Sequence, residues 1–364
     1  MGPFGTLVIL PMFPELRTSF DASSTAVGWG FTIYLIPFAL ALLVSGTLGE
    51  RWGRKRTVRG TYIIFAGASI ICAFAPTLGV FLAGRAIQGV ANAFITPLLL
   101  AGLAEVVEPE RFGRSVGVYS SFQAVGGGLA PLLGGLAADV NWRWAFVGTA
   151  IVAAVLSMAP PNGEPRRNTA PPTIKPLLTA PMLSLGMAAF TAAAGPIGSG
   201  VLIGVVARDE LDLTGLEAGL VLLSGPTVAM LTGPLWGRLL DRWGPRAAGL
   251  VAITTVSVLA AGLALGTTPL ALTLVAAAVG GVTGFAVVVL QGLASTIIPG
   301  NRGGALSFVL AFRFLGHAAY PLLWLPVLDT SVTAAFLASA CLGIATLFFF
   351  ARTFTIGTAQ TRDA

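Results

Sequence analysis

Charged residues are scarce in this chain of 364 residues: they make up 10% of the sequence, against about 25% in a typical soluble protein. Apolar residues account for 55%, and the mean hydropathy is +0.87. This composition excludes a soluble enzyme, a disordered chain and a nucleic-acid-binding domain. Apolar runs of roughly 20 residues recur along the chain, where an outer-membrane barrel would show short alternating strands. The sequence therefore predicts a bundle of membrane-spanning helices.

Residues that bind metals or perform catalysis are also few. The chain has two cysteines and one histidine, and Cys72 and Cys341 both lie inside apolar runs. Neither a disulfide framework nor a His-rich metal site is expected. A phosphate-binding loop of the GxxxxGK[ST] type is absent, as are paired intramembrane aspartates and a Ser/His couple. We predict a protein that is not an enzyme and that binds no cofactor and no metal.

Twelve apolar segments emerge from a window of about 19 residues. They cover 2–14, 27–49, 57–76, 79–104, 115–138, 144–160, 177–206, 216–240, 246–267, 269–298, 303–327 and 331–351. The first segment has only about a dozen residues before Pro14, which is too short to cross roughly 30 Å of hydrocarbon. The sequence thus predicts a truncated first helix, or a natural start upstream of Met1.

The basic residues are distributed unevenly between the two sets of loops. Sixteen of the 21 Lys and Arg residues fall in loops on one side, three fall on the other, and two lie within segments. By the positive-inside rule, the side with sixteen is the cytoplasm, so both termini are predicted to be cytoplasmic in a multi-pass protein of the cell membrane. The net charge of +6 then follows from topology and does not indicate nucleic-acid binding.

A repeated motif divides the chain into two halves. GTLGERWGRKR (Gly46–Arg56) follows the second segment, and GRLLDRWGPR (Gly237–Arg246) follows the eighth. A Pro-rich, charged stretch separates the halves. The predicted organisation is a six-helix bundle over 1–160, a cytoplasmic linker over 161–176, a second six-helix bundle over 177–351 and a cytoplasmic tail over 352–364. Two parallel halves of this kind are a transporter architecture.

With this repeat the sequence resembles the major facilitator superfamily, in particular its twelve-span drug:proton antiporters, over essentially the whole chain. Glu50 stands where the family usually has Asp in the motif after helix 2, and Asp241 keeps the Asp in the second copy. The resemblance implies that this motif closes a cytoplasmic gate, with Glu105 as the partner of Arg54. The gate residues are Gly46, Glu50, Arg51, Gly53, Arg54, Glu105, Gly237, Asp241, Arg242 and Gly244. Ordinary positive-inside anchoring is the alternative interpretation.

Three further segments resemble antiporter motifs. The helix-1 motif comprises Gly5, Pro11 and Pro14; the helix-4 motif is RAIQG at 85–89; and the helix-5 motif comprises Gly126, Pro131, Gly134 and Gly135. Ala130 departs from the helix-5 pattern, which has Gly there. Small residues with a proline predict a kinked helix with a smooth face on which neighbouring helices can rock. A generic packing seam would have the same composition.

Polar residues at membrane depth indicate function by default. The predicted substrate and proton cavity is lined by Arg85, Gln88, Asn92, Gln123, Tyr34, Gln291, Arg313 and His317. Arg85, Gln88 and Asn92 share one helix face, as do Arg313 and His317. Two alternatives stay open: Arg85 could extend to the outer headgroups, and Arg313 with His317 could form a buried structural bond.

The positions of the acidic residues determine whether the residues themselves predict proton coupling. None of the 15 Asp and Glu residues lies deep in a segment, so proton coupling follows from the resemblance, with His317 as the titratable candidate. We predict a monomeric secondary transporter in the lipid bilayer that couples protons to efflux of small amphipathic compounds by alternating access. One alternative is uptake or facilitated transport of a polar or anionic metabolite, such as a sugar or organic acid. Another is a transport-inactive scaffold or sensor.

Overall fold

The computed structural model describes residues 2–163, 177–298 and 301–360. Within these ranges the chain forms helices and turns without a β-strand, as predicted for an all-α membrane protein. Thirteen α-helices are described: α1 Gly2–Leu7, α2 Phe13–Phe20, α3 Ser24–Trp52, α4 Arg54–Ala73, α5 Leu78–Val106, α6 Pro109–Val140, α7 Arg143–Leu156, α8 Ala180–Ala194, α9 Gly200–Asp209, α10 Gly215–Gly262, α11 Pro269–Ile297, α12 Arg302–Leu328 and α13 Val332–Gln360.

These helices correspond to the twelve predicted segments. The first segment contains α1 and only the first residues of α2, which continues to Phe20. The seventh segment forms α8 and α9, and α10 contains the eighth and ninth, which meet at the non-helical Gly244. Among the described residues, six helices are long and apolar enough to cross a membrane. The structure is therefore that of a multi-pass membrane protein.

Prolines explain the two interrupted segments. Between α1 and α2 a 3-10 turn, Leu10–Met12, contains Pro11, and Pro14 lies in the first turn of α2, where a missing N–H is tolerated. In the seventh segment, α8 ends before Gly195 and Pro196. The residue before a proline disfavours helical geometry, which accounts for the break.

The described chain forms two compact units. The first is Met1–Pro172 together with Thr214–Gly219, and the second is Thr173–Leu213 together with Leu220–Ala364. This division differs from the predicted bundles because the first turn of α10 belongs with the first unit. Helix α13 continues to Gln360, into the range predicted as a cytoplasmic tail, and the location of this tail stays a prediction. Most of the predicted linker lies outside the described residues.

In the first unit, α5 packs against both α3 and α4, α4 also packs against α7, and α1 packs against α6. Gly89 on α5 has no side chain, and a Cβ there would overlap the carbonyl oxygen of Tyr34, so α3 and α5 are in backbone contact. A cluster of Phe81, Trp142 and Phe146 fills the space between α5 and α7.

In the second unit, α8 packs against α12 and α13, and α11 packs against α12. A Cβ at Gly316 would overlap the carbonyl oxygen of Phe190, which brings α12 close to α8. The Trp324 indole donates a hydrogen bond of 2.6 Å to the Ala194 carbonyl at the end of α8. This donor compensates a carbonyl that the helix break leaves without a backbone N–H partner.

Candidate functional site

Arg85 is the centre of a polar cluster inside the first unit. Its side chain is fully buried, and it donates hydrogen bonds from Nε to the Gly30 carbonyl at 3.1 Å and from Nη1 to the Gly5 carbonyl at 2.8 Å. Nη1 also donates to Gln88 Oε1 at 2.7 Å. Arg85 therefore connects α5 to α1 and α3.

Gln88 extends this cluster to a fourth helix. Its Nε2 donates to Ser69 Oγ at 2.8 Å, and that hydroxyl donates to the Phe65 carbonyl at 2.7 Å. Together with Gly89, which allows the contact with α3, the RAIQG motif holds four helices of the first unit together. Packing and hydrogen bonding within the first unit thus account for Arg85, Gln88 and Gly89 of this motif without a transported substrate.

Tyr34 and Asn92 complete the cluster. The Arg85 Cζ atom lies 4.3 Å from the centroid of the Tyr34 ring, a cation–π distance. A Cβ at Gly5 would lie 2.7 Å from the Tyr34 hydroxyl, so α1 reaches this position because residue 5 is glycine. Asn92 is buried on the same face of α5. The structure brings these four predicted cavity residues together; that they line a substrate cavity stays a prediction.

Gln123 forms a second polar cluster, between α5 and α6. Its Nε2 donates to Thr96 Oγ1 at 3.1 Å and to the Tyr119 hydroxyl at 2.7 Å. Sequence reasoning missed Thr96 and Tyr119, although Tyr119 lies four residues before Gln123 and so shares its helix face. Gln123 is half-buried and does not contact the Arg85 cluster among the bonds of the described residues.

Arg313 and His317 lie in the second unit, on α12. Both side chains are half-buried, and Arg313 Cζ lies 4.9 Å from the centroid of the Phe314 ring. The His317 and Phe314 ring centroids are 6.4 Å apart. Arg313 Nε is buried without a hydrogen-bond partner in the described part of the chain. Gln291, the other cavity candidate of this unit, is half-buried on α11.

The first copy of the repeated motif forms an ion cluster where α3 ends and α4 begins. Arg54 is 1% exposed; its Nη1 lies 2.7 Å from Glu105 Oε2, its Nη2 donates to Glu105 Oε1 at 3.1 Å, and its Nε donates to Glu50 Oε1 at 2.8 Å. Nη1 also donates to the Asn162 carbonyl at 3.3 Å. The structure therefore brings Arg54 and Glu105 together, on different helices, while Arg51 is exposed.

The backbone of this motif repeats, but its ion cluster does not. Gly53 has φ of 95° and Gly244 has φ of 72°, values that favour glycine, so both copies contain the same kind of turn. Asp241 and Arg242 are exposed, and neither is in an ion pair among the described residues. A Cβ at Gly46 would lie 3.5 Å from the Pro97 side chain, whereas a Cβ at Gly237 would meet no described atom within 4 Å.

The helix-5 motif lies on α6 and contacts two different backbones. A Cβ at Gly134 would overlap the Val8 carbonyl beyond the end of α1, and a Cβ at Gly135 would overlap the Gly215 carbonyl at the start of α10. On the first turn of α10, a Cβ at Gly219 would lie 2.7 Å from the Pro131 carbonyl. We call these backbone contacts of α6 with Val8 and with the first turn of α10 the glycine seam. A Cβ at Gly126 would meet no described neighbour within 4 Å, so this glycine lies outside the seam.

Asp139 closes one end of the glycine seam, and sequence reasoning did not identify it. Its Oδ1 accepts a hydrogen bond from the Gly215 N–H at 2.6 Å, and its Oδ2 accepts one from the Leu216 N–H at 2.8 Å. A carboxylate is favoured at the N-terminus of a helix, where backbone N–H groups lack partners. The signal available in the sequence was an acid at the end of one apolar segment and a capping box, TGLE at 214–217, at the start of another. In this box the threonine hydroxyl caps the N–H of the glutamate, which leaves the N–H groups of Gly215 and Leu216 to another acceptor.

Comparison with known proteins identifies the family. A sequence profile of the Major Facilitator Superfamily matches residues 1–195 and 185–362. An uncharacterised MFS-type transporter of Mycobacterium tuberculosis is 34% identical over 161 residues, which cover 43% of this chain and 23% of that protein. A multidrug resistance protein B homolog of the same species is 31% identical over 129 residues, 35% of this chain and 24% of that protein.

A third relative, the uncharacterised MFS-type transporter YceJ of Bacillus subtilis, is 24% identical over 248 residues, 66% of this chain and 64% of that protein. The matched stretches thus span about a quarter of the two mycobacterial proteins and most of the Bacillus one. The two profile matches together run along nearly the whole sequence, in agreement with the helices and the repeated turn. The chain belongs to the major facilitator superfamily of membrane transporters.

Proposed function

We propose that this protein is a secondary active transporter that exports small amphipathic compounds across the cell membrane by alternating access. The observation that carries the proposal is the glycine seam, in which α6 touches the backbone at Val8 and in the first turn of α10 without intervening side chains. Small residues let helix backbones approach closely, and in this proposal the neighbouring helices rock against α6 along this smooth face. The helix-5 motif on this seam resembles that of drug:proton antiporters, and a multidrug resistance protein B homolog is among the relatives.

The proposed orientation places the Arg54 cluster and both termini in the cytoplasm. Its support is the excess of basic residues in the loops on that side. In this orientation Arg54, Glu50 and Glu105 belong to the cytoplasmic gate, and Asp139 lies at the outer surface. We propose protons as the coupling ion on the family resemblance, with His317 as the titratable group.

Dye export from cells that lack their main drug pumps tests the proposal. Cells that express the protein are loaded with fluorescent amphipathic dyes, and loss of dye is followed with and without a protonophore. We expect export that is faster than in cells with the empty vector and that stops when the protonophore is added. Export that continues unchanged in the protonophore would contradict proton coupling, and accumulation of the dyes would contradict the direction.

A second candidate function is transport of a polar or anionic metabolite. The observation in its favour is Arg313, whose Nε is buried without an acceptor in the described part of the chain. Uptake of radiolabelled organic acids into the same cells distinguishes the two functions, because an importer would raise their cellular content. Absence of transport of every dye and acid would favour the scaffold or sensor role.

A further inference from the structure

We infer that the transported compound carries an acidic group and that this group binds the guanidinium of Arg313. The inference deepens the proposed transport function and rests on it. It concerns the second unit, because the residues that carry it lie on α12. The substrate class it names is an amphipathic organic anion with a carboxylate, sulfonate or similar headgroup.

The two arginines at membrane depth differ in how their hydrogen-bonding capacity is used. Arg85 donates to two backbone carbonyls and to Gln88, and it lies against the Tyr34 ring; only its Nη2 is buried without a partner among the described residues. Arg313 donates no hydrogen bond within the described residues, and its Nε is buried. A guanidinium offers five N–H donors, and leaving a buried donor unmatched costs free energy. Arg85 thus has most of its donors matched by the protein, whereas the Arg313 guanidinium has no acceptor in the described part of the chain, and another molecule would supply one.

The surroundings of Arg313 do not supply that acceptor. The ring of Phe314 lies below the guanidinium at 4.9 Å, but a cation–π contact leaves the in-plane N–H donors unmatched. No carboxylate of the described residues lies within 4 Å of Arg313, and the 15 acids of the chain all lie outside the apolar segments or at their ends. The positive charge thus has no ion-pair partner among the described residues.

The depth of Arg313 argues against a lipid headgroup as its partner. Residue 313 is the twelfth of the 27 residues of α12, about 16 Å from the start of the helix at 1.5 Å per residue. That position is close to the middle of a hydrocarbon core about 30 Å thick. An anion that reaches it has to enter the protein, as a transported compound does.

The chemistry of the site favours acidic groups that present two oxygens side by side, as carboxylates and sulfonates do. An arginine fork binds a carboxylate through two parallel hydrogen bonds, which a lysine cannot reproduce. His317 lies one helical turn further along the same face and adds a ring N–H donor within reach of the same anion. Phe314 provides an aromatic surface beside the headgroup, suited to a compound that is also partly apolar.

Transport of two dyes with the same ring system tests the inference. Purified protein is reconstituted in proteoliposomes, and transport of fluorescein, an anion, is compared with that of rhodamine 6G, a cation on the same xanthene core. We expect Arg313→Gln to slow fluorescein transport by about tenfold or more, as expected for loss of charge-assisted hydrogen bonds, and to leave rhodamine 6G unchanged or faster. Arg313→Lys should restore part of the fluorescein transport. The matched control is Arg352→Gln, which removes one exposed positive charge from α13 and should alter neither dye.

The possible failures are distinguishable. If the wild type transports both dyes and Arg313→Gln slows neither, or slows both equally, the inference is wrong while the transport proposal stands. If the wild type transports neither dye, the transport proposal fails, and fluorescein binding in detergent, measured by fluorescence anisotropy, tests the site directly. A tenfold weaker binding in Arg313→Gln would support the anion site, and equal binding would overturn it. Size-exclusion profiles and thermal unfolding of both Arg313 variants show whether they fold.

Discussion

The buried arginines of the first unit show how one residue type serves two structural purposes. Arg54 is held by two carboxylates and is close to neutralised, whereas Arg85 is held by carbonyl dipoles and an aromatic ring. The pairing of Arg54 with Glu105 could be predicted from sequence, because both residues lie at the same end of adjacent helices. The Arg85 contacts could not, because their acceptors are backbone carbonyls that any residue could provide.

Two substitutions of Arg85 should show how much its buried charge and how much its volume affect the free energy of unfolding. We expect Arg85→Lys to lower the free energy of unfolding by about 3 kcal/mol, because a buried ammonium would keep the charge without the fork of hydrogen bonds. Arg85→Met fills similar space without a charge and should cost less, about 1 kcal/mol. Thermal unfolding in detergent measures both. A Met variant less stable than the Lys variant would contradict this explanation.

The Arg54–Glu105 pair should contribute more than an exposed pair nearby. In a double-mutant cycle of Arg54→Gln and Glu105→Gln we expect a coupling free energy of about 1–3 kcal/mol, since Arg54 is buried and bonded through two nitrogens. The matched control is the exposed pair Arg111–Glu108, with 3.3 Å between the charged atoms, for which about 0.5 kcal/mol or less is expected. Thermal unfolding measures both cycles. Equal coupling free energies would show that the buried Arg54–Glu105 pair contributes no more than the exposed pair.

At the scale of helices, hydropathy predicted where segments run but not where they break. The seventh segment reads as one apolar run, yet the structure interrupts it at Gly195 and Pro196. Conversely, the eighth and ninth segments meet at Gly244 with almost no loop between them. Such details depend on local dihedral angles and on acceptors supplied by neighbouring helices, and a window of about 19 residues averages over both.

The glycines of α6 should differ sharply in their tolerance of a methyl group. Gly134→Ala would place Cβ on the Val8 carbonyl, which forces the chain at Val8 away from α6, and we expect a loss of stability of about 2 kcal/mol together with most of the dye export. Gly126→Ala meets no described neighbour within 4 Å and should be neutral or slightly stabilising, because alanine is the better helix former. Thermal unfolding and export are measured for both. If both variants lose stability and export to a similar degree, the flexibility of α6, and not the close contacts of the glycine seam, explains the need for these glycines.

At the scale of the whole molecule, the two copies of the repeated motif share their backbone turn but not their ion pairs. Gly53 and Gly244 have the same unusual backbone conformation, so the duplicated turn was predictable from the duplicated motif. The ion cluster exists in the first copy only among the described residues, because Pro245 stands in the second copy where the first has Arg54, and Asp241, the counterpart of Glu50, is exposed. A motif specifies its own turn, whereas its ion pairs depend on partners elsewhere in the chain.

The orientation in the membrane can be tested with single cysteines. In a background of Cys72→Ser and Cys341→Ser, Arg56→Cys and Asp212→Cys introduce thiols at two exposed positions. We expect an impermeant maleimide added to intact cells to label residue 212 and not residue 56. The basic stretch at the start of α4, which contains residue 56, is proposed to be cytoplasmic. Permeabilised cells serve as the control, in which both should react. The reverse pattern in intact cells would invert the orientation.

The first turn of α10 belongs to the first unit, where Asp139 holds its two leading N–H groups. A gene cut in the predicted linker, 161–176, would yield a front half that has lost this turn. The Asp139 carboxylate would then lack these two donors, and Gly135 would lose its backbone contact with Gly215. The front half is therefore not a self-contained unit, although the repeat suggests that it is. Co-expressed halves should survive only as a complex, and a front half that remains stable by itself would have to extend through Gly219.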